Sequence, residues 1–175
     1  SDNYTLKLGA DYFLSNKTTV GFVSSGFINP EELTSQNTSY LKNAQAITDS
    51  IVTAESNNTN NWKNGSLNLN LRHQFDSTGR ELTVDLDYVT YKATSAQQFI
   101  NTTFSDKWVE QNIEELRGDL PVNIDIYSVK TDYTQHIGKI KMETGVKASY
   151  VETDNSAFYF TQSSNGEVPD YSKTN

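Results

Sequence analysis

The chain has 175 residues, enough for one domain, and a formal net charge of −8 from 14 basic and 22 acidic residues. The basic residues are scattered, so no nucleic-acid partner is expected. Cysteine is absent, and no apolar run approaches the length of a membrane-crossing helix, a test that leaves membrane-crossing strands open.

Ten Tyr, eight Phe, abundant Thr and only three Pro favour pleated strands. The first predicted strand, 4–14, alternates cleanly. Tyr4, Leu6, Leu8, Ala10 and Tyr12 share one phase, and Thr5, Lys7, Gly9 and Asp11 share the other. A turn at Ser15-Asn16-Lys17 leads to a second strand, 18–29, whose alternation is interrupted by Gly21, Ser24 and Gly26. A long polar insertion, 30–61, is predicted as a loop. Within it Tyr40, Leu41, Ala44, Ile47, Ile51 and Val52 fall at helical spacing after the possible caps Thr38 and Ser39, which predicts a short helix.

The third strand, 64–75, sets Leu67, Leu69 and Leu71 against Ser66, Asn68, Asn70 and Arg72. The turn Asp76-Ser77-Thr78-Gly79 follows, with turn-forming residues throughout. The fourth strand, 80–94, sets Leu82, Val84, Leu86 and Tyr88 against Thr83, Asp85 and Asp87. A second long loop, 96–122, carries Trp108, Val109, Ile113 and Leu116 as a second helix candidate, with Ser105 as cap and Gly118 as stop. The fifth strand, 123–135, and the sixth, 139–153, meet at the turn His136-Ile137-Gly138. An Asp-Tyr pair recurs at Asp11-Tyr12, Asp87-Tyr88 and Asp132-Tyr133, where the tyrosines suit a membrane–water boundary.

The expected fold is therefore mainly β: an antiparallel meander of about six strands in three hairpins, with one or two short helices in the long loops. Across these strands the apolar phase holds no Asp, Glu, Lys or Arg, whereas the other phase holds Lys7, Asp11, Arg72, Asp85, Asp87, Lys130, Asp132, Lys141, Glu143 and Lys147. A soluble sheet with one face on a core alternates in the same way. Strands longer than the usual five or six or so residues favour a tilted membrane span. Short turns at one end and long insertions at the other favour a transmembrane barrel.

The residues also carry a resemblance. Gly9-Ala10-Asp11-Tyr12-Phe13-Leu14-Ser15-Asn16-Lys17-Thr18-Thr19-Val20-Gly21-Phe22 resembles the outer-membrane β-barrel family common in Bacteroidetes and related to TonB-dependent receptors. So do the runs from Phe75 to Tyr88, from Asp125 to Tyr133 and from Gly145 to Asp154. The resemblance implies a large barrel with a signal peptide, a plug domain and more strands than six, placed in the outer membrane. It implies nutrient uptake at the cell surface, coupled to an energy source through the plug. On that basis 1–175 is expected to be a single internal segment of a partial transmembrane barrel. Its expected partners are outer-membrane lipid, the rest of the barrel and an energy-coupling protein. As an isolated fragment it is expected to curl into a sheet or sandwich, or to self-associate through its open edges. The alternative is a soluble cell-surface β domain that binds glycan or protein.

No catalytic, cofactor or metal site is expected. Asp85 and Asp87 share a strand face, but glycoside hydrolysis needs carboxylates about 5–10 Å apart across a cleft. They read instead as charges facing a lumen, or paired with Arg72 or Lys130. His73 and His136 lie near tight turns and with Asp76 could share one rim, without metal-binding spacing. Trp62 and Trp108, in or beside the long insertions, are candidates for stacking on a glycan or a partner, or for anchoring the loops. The candidate ligand or lumen contacts are thus Trp62, Trp108, Arg72, Asp85, Asp87 and Lys130.

Overall fold

The structure, a computed structural model, describes residues 2–163 and 166–175. Every regular element in that range is a β-strand: β1 (Tyr4–Ser15), β2 (Thr18–Lys42), β3 (Thr48–Gln74), β4 (Glu81–Ser105), β5 (Glu110–Ile137), β6 (Ile140–Asn155), β7 (Phe158–Ser163) and β8 (Gly166–Pro169). All pairings are antiparallel within one open sheet. Neighbours in sequence pair in order from β1 to β5. Then β6 and β7 both lie against β5, and β8 lies against β7.

The count is eight strands, not about six. β7 continues the line of β6, because Val122 faces Asn155 and Asp119 faces Phe158 in one unbroken register. The interruption falls at Pro121, which has no N–H to give to the ladder. Its carbonyl still accepts from the Ser156 amide at 3.2 Å. β8 then adds a short outermost strand.

The larger correction concerns the two insertions. The stretches 30–61 and 96–122 are strand, not loop: β2 and β3 pair from Pro30–Asn61 out to Lys42–Thr48, and β4 and β5 pair out to Phe104–Glu110. Neither expected helix forms. Tyr40 and Leu41 end β2, Ile51 and Val52 open β3, and Ile113 and Leu116 lie in β5. The helical spacing arose from apolar residues on two strands that fold back on each other at a tip. Thr38 and Ser39 pair with Thr53 and Val52. Gly118, read as a helix stop, lets the Tyr159 ring lie over its backbone, since a Cβ there would stand 2.8 Å from the ring.

No second layer covers either face among the described residues, so neither a sandwich nor a soluble core forms. Among the described residues Ile51, 2 % exposed, is the one buried apolar side chain. Leu8, Tyr12, Leu86 and Val146 are exposed, Val146 at 75 %. A single sheet with a bare apolar face is stable only where something apolar covers that face.

Candidate functional site: a two-faced wall with projecting hairpins

The register converts the alternation of each strand into continuous rows. One row runs Ala10, Phe22, Leu69, Leu86, Val129, Ala148 across β1 to β6. The next, toward the short turns, runs Tyr12, Val20, Leu71, Val84, Thr131, Val146, and neither row holds a charge. From Tyr150 to Ile140 on β6 this face measures about 33 Å along the strand, or about 25 Å high for a strand tilted by about 40°. That is the height of the apolar belt of a membrane barrel.

Aromatic rings border this belt at both ends. Toward the long hairpins, Tyr88, Tyr127 and Tyr150 form one row, with ring centroids 5.0 and 6.3 Å apart. The Tyr88 hydroxyl donates to Asp125 at 2.7 Å, so the ring stays with the apolar side and its polar tip turns to charge. Toward the short turns, His73, Phe75 and Tyr133 make edge-to-face contacts, with centroids 4.7 and 6.2 Å apart. The three Asp-Tyr pairs thus split: Tyr12 and Tyr133 lie toward the turn end and Tyr88 at the hairpin end.

The opposite face is polar. Asp11, Gly21, Asn70, Asp85, Lys130 and Lys147 make one row, flanked by Asp87 on one side and by Arg72 and Asp132 on the other. The structure therefore brings Arg72, Asp85, Asp87 and Lys130 to one surface. Asp85 lies opposite Lys130, as one expectation had it, but the salt bridges themselves go to other partners. Arg72 bonds Glu81 at 2.7 Å and Lys130 bonds Asp132 at 2.5 Å. Asp87 accepts from the Asn68 amide at 2.6 Å and from the Ser128 hydroxyl at 3.1 Å, and Asn70 donates to Asn68 at 3.1 Å. Asp85 faces Lys130 across β4–β5. Gly21 makes room for this crowding, since a Cβ there would sit 2.6 Å from the Asp11 carboxylate and as close to Asn70.

Trp62 and Trp108 do not converge. Trp62 sits between Asn29 and Ala93 just beyond the belt, and Trp108 sits at the tip of β4–β5, about 40 Å further along the strands. The histidines separate too: His73 bonds Thr18 at 2.8 Å on the apolar side, and His136 lies against Gly79. Among the described residues no cluster of ligands suited to a metal ion forms.

A second feature, without a periodic mark in the sequence, lies at the tips. Tyr40 and Phe104 flank the Trp108 ring, with centroids 6.4 and 5.4 Å away. Ile51 lies in register between Tyr40 and Phe104. Both tip turns use one device. The Asn43 side-chain oxygen accepts the amides of Gln45 and Ile47, and the Ser105 hydroxyl accepts those of Lys107 and Val109. Ala46 and Trp108 each take a positive φ of 59°, the three-residue hairpin loop with a left-handed third position. Ser105, expected to cap a helix, instead closes a hairpin loop.

An uncharged belt, an aromatic border at each end and a polar reverse face describe the wall of a transmembrane barrel. The family model described as outer membrane protein beta-barrel family matches residues 73–175, more than half of the chain. The chain belongs to this family. No curated protein matches the sequence. The barrel wall is located in the outer membrane, with its belt toward lipid, and the expectation of a soluble domain is set aside. No helix among the described residues is long and apolar enough to cross a membrane; this wall crosses with strands.

Proposed function

We propose that this wall belongs to a closed outer-membrane barrel that acts as a receptor or transporter for nutrient uptake, without catalysis. The carrying observation is the pairing of a charged, hydrogen-bonded inner face with hairpins that run about 40 Å of strand beyond the belt. In outer-membrane barrels short turns face the periplasm and long connections face outside, so the tips with Tyr40, Phe104 and Trp108 stand in the medium. Arg72, Asp85, Asp87 and Lys130 line the lumen and select what passes by charge. Asp87 accepts hydrogen bonds from Asn68 and Ser128, Asp85 faces Lys130, and among the described residues no group lies opposite them across a cleft, which supports passage over acid–base chemistry. Both sheet edges are open, and closing the barrel requires further strands. In this reading uptake is driven through a plug by an energy-coupling protein, as in TonB-dependent receptors.

The test is growth of a deletion strain on a panel of oligosaccharides, peptides and metal chelates as limiting nutrients, with and without the restored gene. Uptake predicts a defect on one class, reproduced when energy coupling is inactivated. Equal growth on every source contradicts the proposal.

A further inference from the structure

On the lipid-facing side, between the tyrosine row and the base of the hairpins, lies a groove of ≈ 590 Å³. Its floor is Gly26 opposite Gly65, its apolar wall is Leu6 and Leu8, and its upper rim is Lys63 and Lys92. We propose that it seats a phosphate-bearing lipid of the outer leaflet, with the phosphate between the two lysines and an acyl chain over the glycines.

Three observations support this occupant. First, Lys63 and Lys92 are direct cross-strand partners, an arrangement that repels unless an anion lies between. Both are exposed, and neither forms an ion pair among the described residues. The other facing lysines, Lys130 and Lys147, differ: Lys130 already holds Asp132 at 2.5 Å and faces Asp85. Asp125, diagonal to Lys92 and within reach of its charge, is engaged by the Tyr88 hydroxyl; of the other acids in phase with this face, Glu152 and Asp154 lie one strand further on β6 and Glu32 lies two rows further out on β2. Lys63 and Lys92 thus face each other with no acid as a direct cross-strand partner of either.

Second, the lysines stand two rows beyond Leu67 and Tyr88, where an acyl region gives way to headgroups. Third, the floor is empty by sequence: a Cβ on Gly65 would meet only the Thr90 methyl, at 3.4 Å. A side chain could be carried there, and its lack leaves a slot the width of a chain beside exposed Leu6 and Leu8.

The test uses the protein purified from outer membranes, delipidated in detergent and titrated with diphosphoryl lipid A, with bound lipid counted by native mass spectrometry. The variants are the double change Lys63→Gln/Lys92→Gln, the groove-filling Gly65→Leu, and Lys147→Gln on the polar face as control. The double change is expected to weaken binding by about tenfold or more. Gly65→Leu and removal of the lipid phosphates weaken it as well, and Lys147→Gln does not. Inorganic phosphate is expected to compete poorly, since it lacks the chain. Equal binding by wild type and double variant, equal binding of the phosphate-free lipid, or occupation of the groove by a second copy of the chain would each overturn the proposal. If the double Gln change prevents folding, judged by heat-dependent gel mobility, Lys63→Arg/Lys92→Arg (binding kept) and Gly65→Leu (binding lost) decide it.

Discussion

Asn43 and Ser105 occupy the same place in two different hairpins. Each sits just before a tip loop and accepts two backbone amides through its side-chain oxygen, at 3.0–3.1 Å for Asn43 and 3.2–3.3 Å for Ser105. Neighbouring hairpins thus carry matched tips, and the left-handed position of one of them is filled by Trp108. Replacing Asn43 or Ser105 with Ala is expected to cost about 0.5–1.5 kcal/mol locally. Amide hydrogen exchange should quicken at the altered tip and stay unchanged in the belt.

Trp108 adopts a conformation that a bulky residue tolerates poorly, and its contacts with Tyr40 and Phe104 offset that cost. Trp108→Gly relieves the backbone but removes the ring. If the ring matters more, protease cleavage of the β4–β5 tip rises in Trp108→Gly as in Trp108→Ala. Slower cleavage in Trp108→Gly than in wild type would assign the tip to backbone geometry instead.

Ile51, on β3, is buried in register between Tyr40 and Phe104. Ile51→Ala is expected to destabilise the β2–β3 extension by about 2–4 kcal/mol. The effect should read out as local exchange and nicking near 43–47, with the apparent melting of the belt unmoved. A lowered global midpoint would show that the extension and the belt unfold together.

The belt predicts a face-dependent response to charge. Leu69→Lys or Leu86→Lys places a lysine in lipid, at about 2–4 kcal/mol near the midplane. Asn70→Lys, one residue away on the polar face, should cost far less. Urea titration in detergent, followed by tryptophan fluorescence, compares the three.

Two carboxylates outside the membrane have depressed pKa values. Hydrogen bonds from the Ser172 hydroxyl and Lys173 lower Asp170 to about 2, and the Thr78 hydroxyl and Arg80 hold Asp76 well below the usual range. A depressed carboxylate adds stability that is present above its unfolded value of 3.8 and is lost as pH falls through the folded value. The tail turn should therefore be unchanged from neutral pH to about 5 and loosen toward pH 2. The Ser172 amide, which donates to Asp170 at 3.0 Å, should report a midpoint of about 2 in an NMR titration; one near 3.8 contradicts the geometry.

What was legible in the sequence was the part that alternates. In the belt, Leu67, Leu69 and Leu71 face lipid while Asn68, Asn70 and Arg72 face water, so period two was visible and the face assignment followed. Beyond Lys63 and Lys92 both faces are wet. Asn57, Asn58, Thr59 and Asn60 carry no apolar phase, although they are as fully paired as the belt. Strand there is held by backbone ladders and side-chain bonds such as Gln36–Glu55 and Gln98–Glu115, none of which leaves a periodic mark. Helical spacing near the tips filled that gap misleadingly. That Arg72, Asp85, Asp87 and Lys130 share one face followed from their phase, but their partners depended on register: only pairing shows that Asp87 meets Ser128 and that Lys63 meets Lys92.

Because the chain has no cysteine, the central claim can be tested with single cysteines placed one at a time from Leu82 to Phe104 on β4, in the protein folded into lipid bilayers. Nitroxide labels at these positions report accessibility to oxygen, which favours lipid, and to a water-soluble nickel chelate. Strict alternation is expected through the belt, with Leu82, Val84, Leu86 and Tyr88 reached by oxygen and Thr83, Asp85 and Asp87 by the chelate. Alternation should end near Lys92, with both faces from Thr94 to Thr103 reached by the chelate. Alternation that continues to Phe104, or chelate access at Leu86 equal to that at Asp85, would contradict the central claim.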